Sequence, residues 1–316
     1  MMRKAFWFLC HAACLGLIGL LIAGFLQHYH PVFDSFSHFR MIFLVMLAGV
    51  SMVFLLAKHW ITTGICLFFI FLSIFLTSPY LPGFTPSDDN PTSGQTGSII
   101  RVVQMNLRFD NPTPDMAIDQ LKSANADIML LQEVTLITQP VLVAFKNTHP
   151  HQLSCQIKGV GSVAILSKHA FAVGGRKKCA RFFGYATAQV TIKGQTVTLA
   201  SFHSRWPWPY GQKKQVSRLQ SDFASLAHPL ILAGDFNAAP WSAVVQSIAK
   251  QSRTRVAPGL KLTWAPRLLE FKTRIGGLLP IDHILVSPRF DILSQKILGD
   301  GGSDHLPILT TLLLRD

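Results

Sequence analysis

Residues 230–237, LILAGDFN, run four apolar side chains directly into a glycine, a carboxylate and a carboxamide. The apolar run reads as a short buried strand, and the glycine lets the backbone turn sharply where that strand ends. Asp235 and Asn237, two positions apart, can then point the same way. Alone, such a tetrapeptide also reads as an ordinary strand-to-loop turn, because Asp and Asn favour turns. The pattern recurs, however. VVQMNL (102–107) carries Asn106, DIMLLQEV (127–134) carries Glu133, and IDHILV (281–286) opens with Asp282. Strands buried in a sheet deliver their terminal residues to one rim, so Asn106, Glu133, Asp235, Asn237, Asp282, Asp304 and His305 can meet in one pocket.

Outward from that stretch the chain alternates strands and helices. Strands are expected at 100–107 and 127–132, with an amphipathic helix over 115–124 begun by Pro114 and Asp115. A helical stretch around 141–146 precedes a β-rich part, 162–166, 186–192 and 196–202, with turns such as Lys193-Gly194. Helices follow at 210–226 and, after Pro240, at 241–250; strands fall at 230–233, 281–286 and 306–314. This order implies an α/β fold, a two-sheet α/β sandwich flanked by helices, occupying residues 99–316. About 218 residues suffice for one domain with a sizeable core.

The first 79 residues have a different character, with Asp34 as their one acid and Arg3, Lys4, Arg40 and Lys58 as their basic residues. Apolar runs at about 5–26, 41–57 and 61–78 read as three transmembrane helices, the third diluted by Ser73, Thr77 and Ser78. A signal peptide is the competing reading of the first run, and two further runs directly after it weigh against that. Three charges against one favour a cytoplasmic N-terminus, and three crossings then put the domain on the extracytoplasmic side. Residues 80–98, rich in Pro, Gly, Ser and Thr, read as a flexible linker.

Charge narrows the chemistry. The region after residue 79 holds 15 of the 16 acids and 25 of the 29 Lys and Arg, a net of +10, and only Glu133 and Glu270 are glutamates. Carboxylates ending apolar strands in so basic a region point to a cation held by hard oxygen ligands, magnesium or manganese. Glu133 closes four residues of apolar character and needs a cation or a basic partner, a salt bridge being the plainer alternative. Ser303-Asp304-His305 sets a carboxylate beside an imidazole, suited to acid–base work or to stabilising a phosphoryl group, whereas His283 reads as a packing or capping residue. His203, at the end of the 196–202 strand, offers a second imidazole at the same rim. The loop beyond it, Arg205, Trp206, Trp208 and Tyr210, can grip a phosphate or stack on a base or sugar, or serve as an interfacial anchor. Cys10, Cys14 and Cys66 lie in the apolar runs. Cys155 and Cys179 remain, and a disulfide between them is one option in an oxidising compartment.

Taken in order, Asn106 in QMN, Gln132-Glu133 in LLQEV, His203, GDFN, IDHILVS and GSDHLP resemble the endonuclease/exonuclease/phosphatase superfamily over 99–316. That superfamily includes pancreatic-type deoxyribonuclease, abasic-site endonucleases, inositol polyphosphate phosphatases and bacterial sphingomyelinases. The resemblance implies a magnesium-dependent phosphodiesterase or phosphatase site. Asn106, Glu133 and Asp304 would serve the metal, with Glu133 the principal ligand. Asp235 and Asn237 would orient the attacking water and the phosphate. His305, paired with Asp282, would stabilise or protonate the phosphate, and His203 would be the second histidine of the deoxyribonuclease and sphingomyelinase branches. SFHSRWPWPY stands where abasic-site endonucleases carry a Tyr-centred motif, which argues against that activity.

The expectation is a membrane-anchored, Mg²⁺- or Mn²⁺-dependent phosphodiester hydrolase with an extracytoplasmic catalytic domain. Arg205, Trp206 and Asn237 are its candidate substrate contacts. A net of +10 favours nucleic acid as substrate. The same charge suits anionic headgroups, so a phospholipid or sphingolipid phosphodiesterase is the alternative. A non-catalytic binding module of the same fold would be expected to lack some of these residues, and all of them are present.

Overall fold

A computed structural model describes residues 1–81, 96–156, 161–180, 182–266 and 277–316. Most of the expected linker, residues 82–95, and Glu270 lie outside the described residues. The N-terminal region consists of α1 (Met2–Phe25), α2 (Pro31–Ser37), α3 (Arg40–Leu56) and α4 (Trp60–Thr77). The remainder runs β1 (Gly97–Asn106), α5 (Pro114–Ala124), β2 (Ile128–Val134), α6 (Gln139–Ala144), β3 (His151–Gln156), β4 (Ser162–Ser167), β5 (Lys177–Ala180) and β6 (Tyr185–Ile192). There follow β7 (Gln195–His203), α7 (Gln212–Arg218), α8 (Gln220–Ala224), β8 (Leu230–Asp235), α9 (Ala243–Ser252), β9 (Arg255–Val256), β10 (Asp282–Val286), β11 (Phe290–Ile297) and β12 (Ile308–Arg315).

Among the described residues the strands form two six-stranded sheets, ordered β11-β12-β1-β2-β4-β3 and β5-β6-β7-β8-β10-β9. Each has one parallel pair near its centre, β1 with β2 and β7 with β8, among antiparallel neighbours. Period-two alternation explains how the sheets pack. Ile100, Val102, Ile128, Leu130, Ile231 and Ala233 face the partner sheet. The residues between them face outward: Val103, Met105 and Leu131 pack on Leu121 of α5 and Val141 of α6. On the other sheet Phe202 and Leu232 pack on Val216, Phe223 and Val245 of the flanking helices. This is the expected α/β sandwich, with a core between the sheets and one outside each.

Some elements escaped the sequence reading. β3, β5 and β11 are half exposed and have no continuous apolar run to mark them. The helix expected over 210–226 breaks at Leu219 into α7 and α8, which keeps Val216, Leu219 and Phe223 all buried. Cys155 of β3 and Cys179 of β5 form a disulfide, Cα–Cα 5.4 Å, tying an edge strand of one sheet to an edge strand of the other.

Helix α1 and the segment Trp60–Tyr80 are each long and apolar enough to cross a bilayer. The third expected span differs. α3 has 17 residues, about 26 Å at 1.5 Å per residue, and reaches a full span only together with α2, from which it bends by 59°. α3 runs antiparallel to α1. Trp7, near the start of α1, stacks on Phe54 at 5.9 Å and on His59 at 4.4 Å, while Gly24, near its end, lies against the backbone of Ser37. Leu17 and Leu21 of α1, Leu44 and Leu47 of α3 and Cys66 of α4 form their shared core. Phe8, Leu15, Val45, Leu56, Phe68 and Phe71 point outward and are exposed, as lipid-facing side chains would be.

Candidate active site

The inner-facing rows turn polar at one end of the sandwich. On β1 the row continues from Ile100 and Val102 to Gln104 and Asn106, and on β7 from Val197 and Leu199 to Ser201 and His203. On β8 Ile231 and Ala233 lead to Asp235; on β10 the row starts at Asp282. Strand register aligns these ends, with Asn106 beside Gln132, His203 beside Asp235 and Asp282 opposite Asp235. The site is the polar end of the inter-sheet core.

Glu133 reaches this end by breaking the alternation. The β2–β4 register shifts between Leu131 and Val134, and Glu133 takes φ +56°. A bulge of this kind re-aims one side chain at a modest conformational cost. Asn237 is likewise left-handed, φ +47°, a conformation Asn tolerates. Gly234 is required by close approach, since a Cβ there would collide with the carbonyl oxygen of Phe202.

The Asn106 amide donates to Glu133 Oε1 and to Asp235 Oδ2, both at 3.0 Å, and so bridges the two sheets. Glu133 Oε2 accepts the Phe109 backbone N–H at 2.7 Å. His203 Nε2 lies 3.5 Å from Glu133 Oε1 and 3.6 Å from Asp235 Oδ2. Asp235 Oδ1 accepts the Asn237 backbone N–H at 2.8 Å, and the Asn237 amide spans Ser204 O at 2.8 Å and Asp235 Oδ2 at 3.3 Å. On the other side of Asp235, His305 Nε2 stands 3.7 Å from Oδ2, and His305 Nδ1 bonds Asp282 Oδ2 at 2.8 Å. Asp282 also accepts from Thr263 Oγ1 at 2.6 Å and Gln104 Nε2 at 2.8 Å.

These groups fix one another's charge. Burial raises the Asp235 carboxyl to about 6, a rise that the charge of His305 partly offsets. Burial disfavours a charged His305, yet Asp282 and Asp235 outweigh it and lift the imidazole to about 10. Asp282 is held low, because His305 and its other hydrogen bonds outweigh burial. His283 sits outside the cluster. It is buried, its Nε2 meets Ala238 O at 2.8 Å, and burial lowers its pKa to about 4.

Among the described residues, two groups of donors have the spacing of a cation site, Glu133 with His203 and Asp235, and Asp235 with Asp282 and His305; within each, the donor atoms lie within 4.8 Å of one another. The first suits a divalent ion, with each of two carboxylates 3.5 to 3.6 Å from one imidazole, near the spacing of about 3 Å between adjacent ligands of an octahedral shell. The second is an ion pair already, with Asp282 committed to His305. Asp304 belongs to neither group; its Oδ2 accepts from Trp264 Nε1 at 3.3 Å. Trp206 stands edge-on to Trp264 at 5.8 Å, half exposed, with Arg205 beside it on the same loop. Gln104, Thr263 and Trp264 were not read from the sequence. Only Gln104 left a signal, as a polar residue two positions before Asn106 on the inner face of an apolar strand.

The model of the Endonuclease/Exonuclease/phosphatase family matches residues 103–305. Among solved structures, an endonuclease/exonuclease/phosphatase from Bacteroides vulgatus aligns with TM-score 0.57 and 17% identity over 69% of this chain and 100% of that one. One from Beutenbergia cavernae aligns with TM-score 0.53 and 18% identity over 69% and 72%, and a humanized D. rerio TDP2 with TM-score 0.53 and 17% identity over 68% and 98%. At these identities the likeness is one of fold. No curated protein matches the chain in sequence.

Proposed function

Because the chain belongs to the endonuclease/exonuclease/phosphatase family, we propose that it is a membrane-anchored, divalent-metal-dependent hydrolase of phosphodiester bonds. The observation that carries this reading is the position of Asp235, shared between a metal-type donor group and the Asp282–His305 pair. Glu133 would be the main protein ligand of the ion, with Asn106 fixing it, Asp235 alongside, and Asp304 at the margin. Mg²⁺ or Mn²⁺ held there would supply Lewis-acid stabilisation of the charge on the phosphoryl group. Asp235, oriented by both nitrogens of Asn237, takes the proton of the attacking water. His305, charged and held by Asp282, donates from Nε2 to the phosphoryl group or to the departing oxygen, and His203 offers a second donor on the other flank. Arg205 and Trp206 are the proposed substrate contacts at the mouth.

Charge alone ranks nucleic acid first as substrate. The position of the rim favours a lipid-borne phosphodiester instead. Asn237 lies four residues before Trp241, at most about 14 Å of chain, and Trp241 packs among the ends of the apolar helices: the Arg40 guanidinium is 5.5 Å and the Tyr80 ring 6.0 Å away. The loop that carries Trp206 at the site also carries Trp208, which with His28, Gln212 and Lys213 lines a cavity of about 340 Å³ beside the end of α1. Aromatic and basic side chains in that order suit a headgroup layer. An extracytoplasmic domain is supported by the disulfide and by Arg3, Lys4 and Lys58 gathering at the end of the helices away from the domain.

The test offers the full chain in nanodiscs with Mg²⁺ either vesicles of phosphatidylglycerol and sphingomyelin or plasmid DNA. Faster release of a lipid headgroup at matched phosphate concentration supports the lipid reading. Cleavage of DNA alone returns nucleic acid to first place.

A further inference from the structure

Residues 27–40 form an elbow between α1 and α3, and its polar groups are engaged by the segment that follows Asn237. Asp34 accepts the Ala243 N–H at 2.8 Å through Oδ1 and the Val244 N–H at 3.2 Å through Oδ2. His38 Nδ1 accepts the Ala239 N–H at 3.3 Å. The Trp241 indole N–H donates to Ser37 O at 2.7 Å, and the Gln27 amide to Trp241 O at 2.7 Å. Asp34, Ser37, His38, Ala239 and Trp241 are all buried. A carboxylate, an imidazole and an indole withdrawn together from solvent are far more than a tether needs.

The segment they hold continues directly from the site. The first amides of α9 have no partner within the helix. The domain's own Ser242 Oγ accepts only that of Val245, while Asp34, more than 200 positions away, accepts those of Ala243 and Val244. Between Asp235 and α9, His283 meets the carbonyl of Ala238 and His38 accepts the amide N–H of Ala239. Gln212 secures the carbonyls of Phe236 and Asn237. Asn237 in turn orients Asp235 through both its nitrogens. Removing the elbow would leave the amides of Ala239, Ala243 and Val244 without these partners, two, six and seven residues after Asn237.

We propose that the membrane-side elbow is a positioning element of the active site: Asp34, Ser37 and His38 hold the 238–244 segment, and through Asn237 the carboxylate of Asp235. The geometry that orients Asp235 is complete only when the apolar helices are folded, so activity is coupled to the membrane-inserted state. The proposal rests on the hydrolase reading above, and its test separates the two.

The full chain in nanodiscs is compared with Asp34→Ala, Asp34→Asn and Trp241→Phe. Hydrolysis of bis(p-nitrophenyl) phosphate with Mg²⁺ is measured together with amide exchange across 237–244. Asp34→Ala should lower kcat by roughly 10- to 100-fold, with KM moving little, because misplacing a group by a fraction of its contact distance costs that much. Asp34→Asn keeps one acceptor oxygen and should recover part of the loss. Exchange should quicken over 237–244 and stay unchanged in β1 and β2, which shows that the fold persists. If Asp34→Ala does not fold, Trp241→Phe, which removes the bond to Ser37 and keeps a ring beside Arg40 and Tyr80, gives the same readouts. An unchanged kcat overturns the proposal, with or without faster exchange, and so does unchanged exchange. A wild-type chain that hydrolyses no phosphodiester defeats the hydrolase reading instead, and exchange alone then decides whether the elbow holds the segment.

Discussion

Glu133 shows how far this site is specified at the level of single residues. Its backbone is left-handed and its strand bulged, so the fold accepts a conformational cost to aim one carboxylate at Asp235 and His203. Gathered carboxylates repel one another when no cation is between them. Glu133→Gln should therefore lower metal-dependent turnover by about 100-fold or more while leaving thermal stability unchanged or higher without metal. Calorimetric unfolding and turnover, measured on one preparation, check both halves. His305 has a pH signature. Its folded pKa, about 10, lies above the ordinary histidine value near 6.5, so its contribution to stability is full below about 6.5 and is lost as pH rises through about 10. Asp282 acts oppositely: held low, it contributes above about 4 and loses its contribution as pH falls. Unfolding midpoints between pH 6.5 and 10 should fall more steeply in the unmodified chain than in His305→Gln. The acids and histidines of this cluster were legible in the sequence because each sits at an abrupt apolar-to-polar boundary. Thr263 and Trp264 were not, because they lie on an irregular segment where nothing in the local pattern marks a partner of Asp282 or Asp304.

At the level of elements, legibility followed burial. β1, β2, β7, β8 and β10 are buried on both faces and read as apolar runs. Edge strands such as β3 and β5 owe their place to pairing partners and, for these two, to the Cys155–Cys179 bridge. That bridge closes a loop of 24 residues, for which chain entropy gives a stabilisation of about 3 kcal/mol. Cys179→Ser should lower the unfolding midpoint by several degrees and leave turnover intact, since the bridge joins edge strands whereas Asp235 ends the interior strand β8. The same loss on adding reductant to the unmodified protein, and none in the variant, would tie the effect to the bridge. The short α3 is the converse case. As a sequence it reads as a full span, but its 17 helical residues cross a bilayer only with help from the bent α2, whose other face serves the domain.

At the level of the whole molecule, one arrangement reconciles the helices with the domain. α1 ends, α3 begins and α4 ends beside Trp241, whereas the start of α1 meets the α3–α4 connection at the opposite end. Three crossings follow if α1 and α4 both span. Cysteines substituted at Tyr29 and Asp316 should then react with a membrane-impermeant maleimide from one side of sealed vesicles, and one at Arg3 only from the other. Reaction of all three from one side would contradict the arrangement. The apolar runs are legible in the sequence, but their contact with the domain is not, because Asp34 and His38 look like isolated polar residues until the chain folds back more than 200 positions.

The central claim is that Glu133 and Asp235 form part of a metal-dependent phosphodiester-hydrolysing site. Its most direct test is turnover of bis(p-nitrophenyl) phosphate by the full chain in nanodiscs, with Mg²⁺ or Mn²⁺, with excess EDTA, and in Glu133→Gln and Asp235→Asn. The expected result is metal-dependent release of nitrophenol, abolished by EDTA and reduced by roughly 100-fold or more in each variant. Hydrolysis that survives EDTA, or that proceeds at the unmodified rate in either variant, would contradict it.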